Sequence, residues 1–229
     1  MVSQLKYRHE TKHEIRYSEY LAIKSRLKII AGLDKNVGEA SEYFIRSLYF
    51  DNYQDKALRE KIYGVNIREK FRLRYYNGND QYINLEKKQK NNGLCHKESV
   101  GITKEEVLEL LKGNYEFLKE STHPLKLEFY TKMTNQLLRP RVIVDYVREP
   151  YIYEPGNVRI TFDKNIRSGL YSQDFFNPNM VSIPVASQDT VLLEVKYDEF
   201  LPEVIAMCLQ VNERQKSAFS KYATSRMFG

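Results

Sequence analysis

The fold is indicated most clearly by the stretch Phe71-Arg72-Leu73-Arg74-Tyr75. Side chains alternate between the two faces of a β-strand, so Arg72 and Arg74 would share one face and the three apolar residues the other. A face that simply meets water tends to mix charges of both signs, whereas this one carries two adjacent arginines. The stretch therefore predicts a strand whose apolar face is covered and whose basic face has an anionic partner.

The same alternation recurs along the chain. The predicted strands are Leu5–Ile15, Tyr43–Asp51, Ile67–Tyr76, Gln81–Lys90, Arg141–Pro150, Val158–Asp163 and Thr190–Tyr197. The predicted helices are Ser18–Ile30, Asp55–Tyr63, Thr103–Leu111, Lys126–Leu137, Leu201–Leu209 and Asn212–Tyr222. Hairpin-like spacing with interspersed helices predicts an α+β fold.

Composition limits the class of protein. The chain has 229 residues, of which 42% are hydrophobic, and this suits a single domain spanning residues 1–229. Lys and Arg number 36 against 30 for Asp and Glu, so the net charge is +6 and fits a polyanionic partner. Cys95 and Cys208 are far apart, and no apolar run approaches the ~18 residues of a membrane span. A soluble, cytoplasmic protein is expected.

The charged strand faces allow two arrangements. An ordinary sheet would turn its polar side to water. Alternatively, helices cover the apolar faces, and the charged faces point into a closed antiparallel barrel of about eight strands. Such a lumen is tolerable only if it is wet and holds a strong anion, because unpaired like charges repel in a low-dielectric interior. Arginines suit phosphate oxygens, and carboxylates beside phosphate suit Mg²⁺ or Mn²⁺.

A series of motifs resembles one known family. In chain order they are Arg8-His9-Glu10-Thr11-Lys12, Ser47–Asp51, Phe71–Tyr76, Leu85-Glu86-Lys87-Lys88, Asp145–Tyr151, Val158–Asp163, Leu193-Glu194-Val195-Lys196 and Phe219–Tyr222. Together they resemble the triphosphate tunnel metalloenzymes of the CYTH superfamily. The branch they resemble is the polyphosphate polymerase domain of the vacuolar transporter chaperone (VTC) type. The likeness runs from Tyr7 to Tyr222.

This resemblance implies a tunnel that binds ATP and inorganic polyphosphate, or another triphosphate, with Mn²⁺ or Mg²⁺ as cofactor. The implied reaction moves the γ-phosphoryl group of ATP onto a growing polyphosphate chain. The implied catalytic residues are Arg72, Arg74, Arg148 and Arg159; the phosphate-binding residues are Lys12, Lys88, Lys97, Lys196 and Lys221. The implied metal ligand is Glu194, with Glu10 and Glu86 as more variable acidic positions. Arg8, Arg59 and Asp163 are additional lining.

Two other functions stay open. If water replaces the acceptor chain, the same site becomes a triphosphatase, and a nucleotidyl cyclase of the same superfamily is a related alternative. Arg8 stands where many hydrolytic relatives have another acid, which favours the polymerase branch. A non-catalytic module that binds RNA or DNA would also use basic residues interleaved with aromatics. Nucleic acid is not expected, however, because a tunnel would hide the charges from a duplex.

Overall fold

The computed structural model describes residues 7–35, 37, 41–210 and 219–227. Its strands are β1 (His9–Arg16), β2 (Gly32–Leu33), β3 (Tyr43–Asp51), β4 (Ile67–Tyr76), β5 (Asn79–Asn91), β6 (Leu94–Ile102), β7 (Arg139–Tyr153), β8 (Val158–Ser168), β9 (Ile183–Pro184) and β10 (Thr190–Tyr197). Its α-helices are α1 (Tyr17–Ile30), α2 (Lys56–Ile62), α3 (Lys104–Leu111), α4 (Pro124–Asn135), α5 (Glu203–Cys208) and α6 (Lys221–Met227).

The ten strands formed by the described residues belong to one sheet, and every paired ladder is antiparallel. Eight strands follow the order β1-β10-β8-β7-β3-β4-β5-β6, while β2 pairs with β7 and β9 with β8. The outermost strands meet where Arg8 and Cys95 exchange two backbone hydrogen bonds of 2.9 Å. The α+β fold is confirmed. The closed barrel is not, because the described residues join β1 to β6 through this bridge alone.

The outward face of β3 to β6 is covered by α3 and α4. Leu48, Leu73 and Leu85 point away from the basic side chains of these strands and are fully buried. They share one apolar cluster with Val107 of α3 and Phe129 of α4. A fully buried leucine contributes about 1.5–3 kcal/mol, so this cluster anchors half of the sheet.

The outward face of β1, β10 and β8 is covered by α1 and α5. Ile23 of α1 and Ile205 of α5 are fully buried against Phe162 and Leu193. The sequence predicted this apolar face, since Phe162 alternates with Thr161 and Asp163. Both outer clusters leave the charged strand faces on the opposite side of the sheet.

Local sequence explains several element boundaries. The α3 cap is formed by Thr103, whose Oγ1 accepts from the Glu106 backbone N–H at 3.1 Å while the Glu106 carboxylate accepts from the Thr103 N–H at 2.9 Å. Two tight turns, Asn77-Gly78 and Asn92-Gly93, have positive φ at both positions and join β4 to β5 and β5 to β6. These turns place three neighbouring strands in register.

Several elements differ from the prediction. The helix predicted from Lys126 begins at Pro124, because proline is favoured in the first turn and the His123 side chain caps it. Strand β6 was not predicted, because its sequence LCHKESVGI lacks a clear apolar alternation. The predicted helix Asn212–Tyr222 lies mostly outside the described residues, as do Leu5 and Lys6 of the first predicted strand. Among the described helices, none is both long and apolar enough to span a membrane.

Candidate functional site

A cavity of about 930 Å³ lies against the sheet face that α1, α3, α4 and α5 leave uncovered. Helices α2 and α6 contribute to its wall. The predicted site residues that line it are Glu10, Lys12, Arg72, Arg74, Lys88, Lys97, Arg148, Arg159, Glu194, Lys196 and Lys221, together with Arg8. Glu86, Arg59 and Asp163 do not line it. Charged faces from seven strands therefore converge on one space.

Two carboxylates lie in the wall between β1 and β10. The Glu194 Oε2 atom is 2.8 Å from Lys12 Nζ, and its Oε1 atom is 2.8 Å from Lys196 Nζ. The Glu10 carboxylate contacts Lys88 Nζ at 2.5 Å. Burial alone would raise the pKa of Glu194, but the charges of Lys12 and Lys196 hold it well below the usual range. Both carboxylates are therefore ionised and neutralised by lysines.

A second ion-pair group joins β7, β8 and α6. The Nε and Nη2 atoms of Arg148 donate to the two carboxylate oxygens of Asp163 at 2.6 and 2.8 Å. Lys221 Nζ contacts the same carboxylate, which is 0% exposed. Burial raises the pKa of Asp163, yet Arg148 and Lys221 lower it to about 2. Asp163 thus positions two cations at the cavity wall without lining the cavity itself.

The arginines of β4 are held by side chains of neighbouring strands. Arg72 Nε lies 2.6 Å from Glu86 Oε2, and Arg72 Nη1 donates to the Tyr49 hydroxyl at 3.0 Å. Arg74 donates to Ser47 Oγ at 2.9 Å and to the Tyr146 hydroxyl at 2.8 Å. Fixed guanidinium groups lose little freedom when an anion binds, so this wall is preorganised.

Glu86 plays a different part from the acidic cavity position that was predicted. Its carboxylate is 1% exposed and also contacts Lys97 Nζ at 2.9 Å. The oxygens of Glu86 thus neutralise and orient Arg72 and Lys97. We do not assign Glu86 as a metal ligand.

Arg159 lies at a more open part of the wall. Its Nη2 atom is 2.8 Å from Asp34 Oδ2 and donates to the Tyr43 hydroxyl at 3.1 Å. The Arg159 side chain is 34% exposed, against 10% for Arg148. It is therefore more accessible to an anion than Arg148, although its partner Asp34 is buried.

Sequence reasoning missed several cavity residues. Arg68 and Lys70 continue the alternation of Arg72 and Arg74 along β4, so the signal was present two and four positions upstream. Burial, with the charges of Lys88, Lys12 and Arg72, lowers the pKa of Lys70 to about 7. The other lining cations that were missed are Lys61 and Lys90.

One side of the cavity is aromatic and apolar. Tyr49, Tyr146 and Tyr222 line it and belong to a third buried cluster that also contains Ile45 and Val144. On β7, Tyr146 shares a strand face with Arg148, which lies two positions further along. The cavity therefore has a basic wall and an apolar boundary that limits water.

The carboxylates of the cavity wall suit a divalent metal ion that would also bind phosphate oxygens. Glu10 and Glu194 are the two carboxylates on the cavity wall at this point. Burial and the like charge of Glu194 act to raise the pKa of Glu10, but Lys88, Lys12 and Lys196 hold it below the usual range. Within the described residues, no group of three or more His, Cys, Asp or Glu side chains is placed to hold a metal. Mg²⁺ and Mn²⁺ accept one or two carboxylates and complete their shell with phosphate oxygens and water.

The electrostatics of the cavity favour a multivalent anion. Its lining cations outnumber the lining carboxylates, and those carboxylates are already neutralised by lysines. Phosphate groups provide the oxygens that fork-shaped guanidinium groups bind in pairs. The remaining charge therefore attracts a linear chain of phosphates more strongly than a single small anion.

Comparison with known proteins agrees with this geometry. A family model described as the VTC domain matches residues 7–228. No curated protein matches the sequence significantly. HpAC1 from Hippeastrum, a proposed adenylyl cyclase with a dominant triphosphatase activity, is 14% identical with a TM-score of 0.57 over 96% of each chain. A proposed adenylate cyclase from Bacillus halodurans is 14% identical with a TM-score of 0.46, over 83% of this chain and 80% of its own. The Hippeastrum protein shares the fold.

Proposed function

The chain belongs to the VTC domain family, and from that premise we propose that it is a polyphosphate polymerase. The resemblance that the motifs predicted is thereby confirmed, and the family and cavity together support an enzyme that processes triphosphates. The proposed reaction transfers the γ-phosphoryl group of ATP to the end of an inorganic polyphosphate chain. The observation that carries the proposal is the convergence of cations from seven strands and α6 around Glu10 and Glu194.

The arginines are proposed to hold the reacting phosphates. Arg72 and Arg74 already have fixed guanidinium groups, which suits binding of the β- and γ-phosphates in one orientation. Arg148 and Lys221 share Asp163, so binding of a phosphate would draw on cations that one carboxylate incompletely neutralises. Arg159, Lys12, Lys88, Lys97 and Lys196 complete the phosphate-binding set.

Phosphoryl transfer needs alignment and charge neutralisation from these residues. An oxygen of the terminal phosphate of the acceptor chain attacks the γ-phosphorus, and the bond from that phosphorus to the β–γ bridging oxygen breaks. ADP leaves, and the polymer is longer by one phosphate. The acceptor is already an anion, so no side chain has to remove a proton. Glu10 and Glu194 would hold Mn²⁺ or Mg²⁺, which supplies further neutralisation of the β- and γ-phosphate charge.

An assay of products with ATP and Mn²⁺ tests this function. The purified protein should form long polyphosphate, visible on a gel, and an R72Q/R74Q variant should form at least about a hundredfold less. The matched control K28Q/K112Q removes two exposed positive charges outside the cavity and should keep full activity. Release of orthophosphate without polymer would refute the polymerase and identify a triphosphatase. Retention of RNA with ATP left intact would identify a binding module.

A further inference from the structure

Two rows of like charge cross the cavity side of the sheet next to Arg72. In the first row, Lys70 of β4 is directly opposite Lys88 of β5, and Lys88 is opposite Lys97 of β6. In the second row, two positions further along, Arg68 is opposite Lys90. Like charges in directly opposite positions destabilise a sheet, so their clustering here indicates that an anion offsets the repulsion.

Cations deeper in the cavity form ion pairs with carboxylates, whereas those of the second row form none with a described carboxylate. Lys12, Arg72 and Arg148 each contact a buried carboxylate. By contrast, the described part of the chain places no carboxylate in an ion pair with Arg68 or Lys90; the Arg68 guanidinium donates to the backbone oxygen of Val65.

Lys61 at the end of α2 joins this second row. It lines the same cavity and likewise makes no ion pair with a described carboxylate. The end of α2 lies beside Arg68, since the Val65 N–H donates to the Glu60 carbonyl at 2.9 Å and the Val65 carbonyl accepts from the Arg68 guanidinium. Burial and the charges of Arg68 and Lys90 lower the pKa of Lys61. We call Lys61, Arg68 and Lys90 the outer cations.

The distance along β4 sets the size of the ligand. Arg72 is four positions after Arg68 on β4, and at about 3.3 Å per residue their Cα atoms are roughly 13 Å apart. The outer phosphorus atoms of a triphosphate are joined by only two P–O–P links and cover much less. A longer polyanion therefore matches this spacing better than a triphosphate does.

We propose that the outer cations form a separate subsite for the part of a polyphosphate chain that lies beyond the reacting phosphates. This inference rests on the proposed function and adds to it that the site discriminates by chain length. A hydrolase of short triphosphates has no need of these charges, whereas a polymerase must hold an acceptor that extends out of the cavity.

Binding of two probes of different length tests the subsite. The dissociation constants of tripolyphosphate and of polyphosphate with several tens of phosphates are measured by calorimetry for the wild type and K61Q/R68Q/K90Q. Loss of three contacts should weaken long-chain binding at least about tenfold, with tripolyphosphate affinity changed less than about threefold. The matched control K28Q/K112Q/K119Q removes the same charge from exposed positions outside the cavity and should bind both probes like the wild type.

The results for the two probes test the subsite separately from the proposed function. Unchanged long-chain affinity, or an equal loss for both probes, would overturn the subsite, even if the wild type makes polymer from ATP. Selective loss of long-chain affinity would support the subsite, even if the wild type makes no polymer and the proposed function fails. Tripolyphosphate binding by the variant also reports that it is folded. If it does not fold, the double variant K61Q/K90Q is measured in the same way and should show a smaller, still selective loss.

Discussion

Lys70 lies in an electrostatically unfavourable position when the cavity holds no anion. It faces Lys88 across the sheet, and its ammonium group lies 5.5 Å from the centre of the Tyr49 ring instead of beside a described carboxylate. Burial would raise the pKa of the Tyr49 hydroxyl, but Arg72, Lys70 and Arg74 lower it to about 7. Such an environment is retained for ligand binding at the expense of stability.

Replacement of Lys70 by glutamine should stabilise the anion-free protein near neutral pH. The folded pKa of Lys70 is about 7 and the unfolded one about 10.5, so the unfolded chain holds more protons between these values. Wild-type stability should therefore be lowest below pH 7 and rise towards pH 10, and K70Q should lack this contribution. Urea unfolding should show K70Q more stable by about 1–2 kcal/mol at pH 6.5, with the difference shrinking at pH 9. A constant difference across this range, or an equal gain in K28Q, would contradict the assignment.

Replacement of Glu194 by glutamine separates charge balance from turnover. The E194Q variant removes the nearer of the two carboxylates that Lys12 and Lys196 share, so its melting temperature should fall in the absence of anions. Tripolyphosphate should restore much of that loss, because phosphate oxygens take the place of the carboxylate. Turnover of ATP at saturating metal should remain at least about tenfold lower, since a predicted metal ligand is missing. Recovery of turnover together with melting temperature would make Glu194 a structural residue only.

Among the single elements, some strands could be predicted from the sequence with their exact bounds, and others could not. The bounds of β3, β4 and β10 coincide with the predicted segments, because period-two alternation of apolar and charged residues is clear there. Strand β6 could not be found this way: it is a partly exposed edge strand whose pairing with β5 depends on the Asn92-Gly93 turn. The cluster-facing residues Val100 and Ile102 follow His96 and Glu98 on the same strand face, so the apolar alternation of β6 is too short to be visible.

Helix α6 should control how well Lys221 is held in the cavity. The Tyr222 hydroxyl donates to Asp51 at 2.5 Å, and Arg226 contacts Asp55 at 2.8 Å, so α6 is tied to the start of α2. Y222F removes the first of these bonds while Asp51 keeps its backbone donors.

The expected result for Y222F is a KM for ATP about three- to tenfold higher, with a smaller change in kcat, because Lys221 would be less well positioned. Steady-state kinetics provide the measurement. The control Y171F changes an exposed tyrosine, 64% accessible, and should leave both constants unaltered. A fall in kcat with an unchanged KM would instead mean that α6 contributes to stabilisation of the transition state and not to ATP binding.

For the molecule as a whole, the sequence predicts which charged residues share a strand face but not which carboxylate neutralises each cation. Alternation along each strand was enough to bring Arg72, Arg148 and Glu194 to one cavity. The neutralisation of Arg72 by Glu86 and of Arg148 by Asp163 depends on cross-strand register and side-chain reach, which no single segment encodes. The bridge from Arg8 to Cys95 likewise depends on the accumulated twist of eight strands.

The same balance makes the fold sensitive to its ligand. Anion binding to the folded state stabilises it by about 2.7 kcal/mol at a concentration one hundred times the dissociation constant. For a chain of this size the melting temperature should then rise by roughly 5–10 °C with tripolyphosphate, measured by differential scanning fluorimetry. Sodium chloride at equal ionic strength should give a much smaller rise, since screening cannot supply bidentate contacts. R72Q/R74Q should lose most of the tripolyphosphate response while K28Q/K112Q keeps it. An equal response to both salts would mean that the cavity charges act as a diffuse field, and the arginine contacts on which the proposed mechanism depends would have to be abandoned.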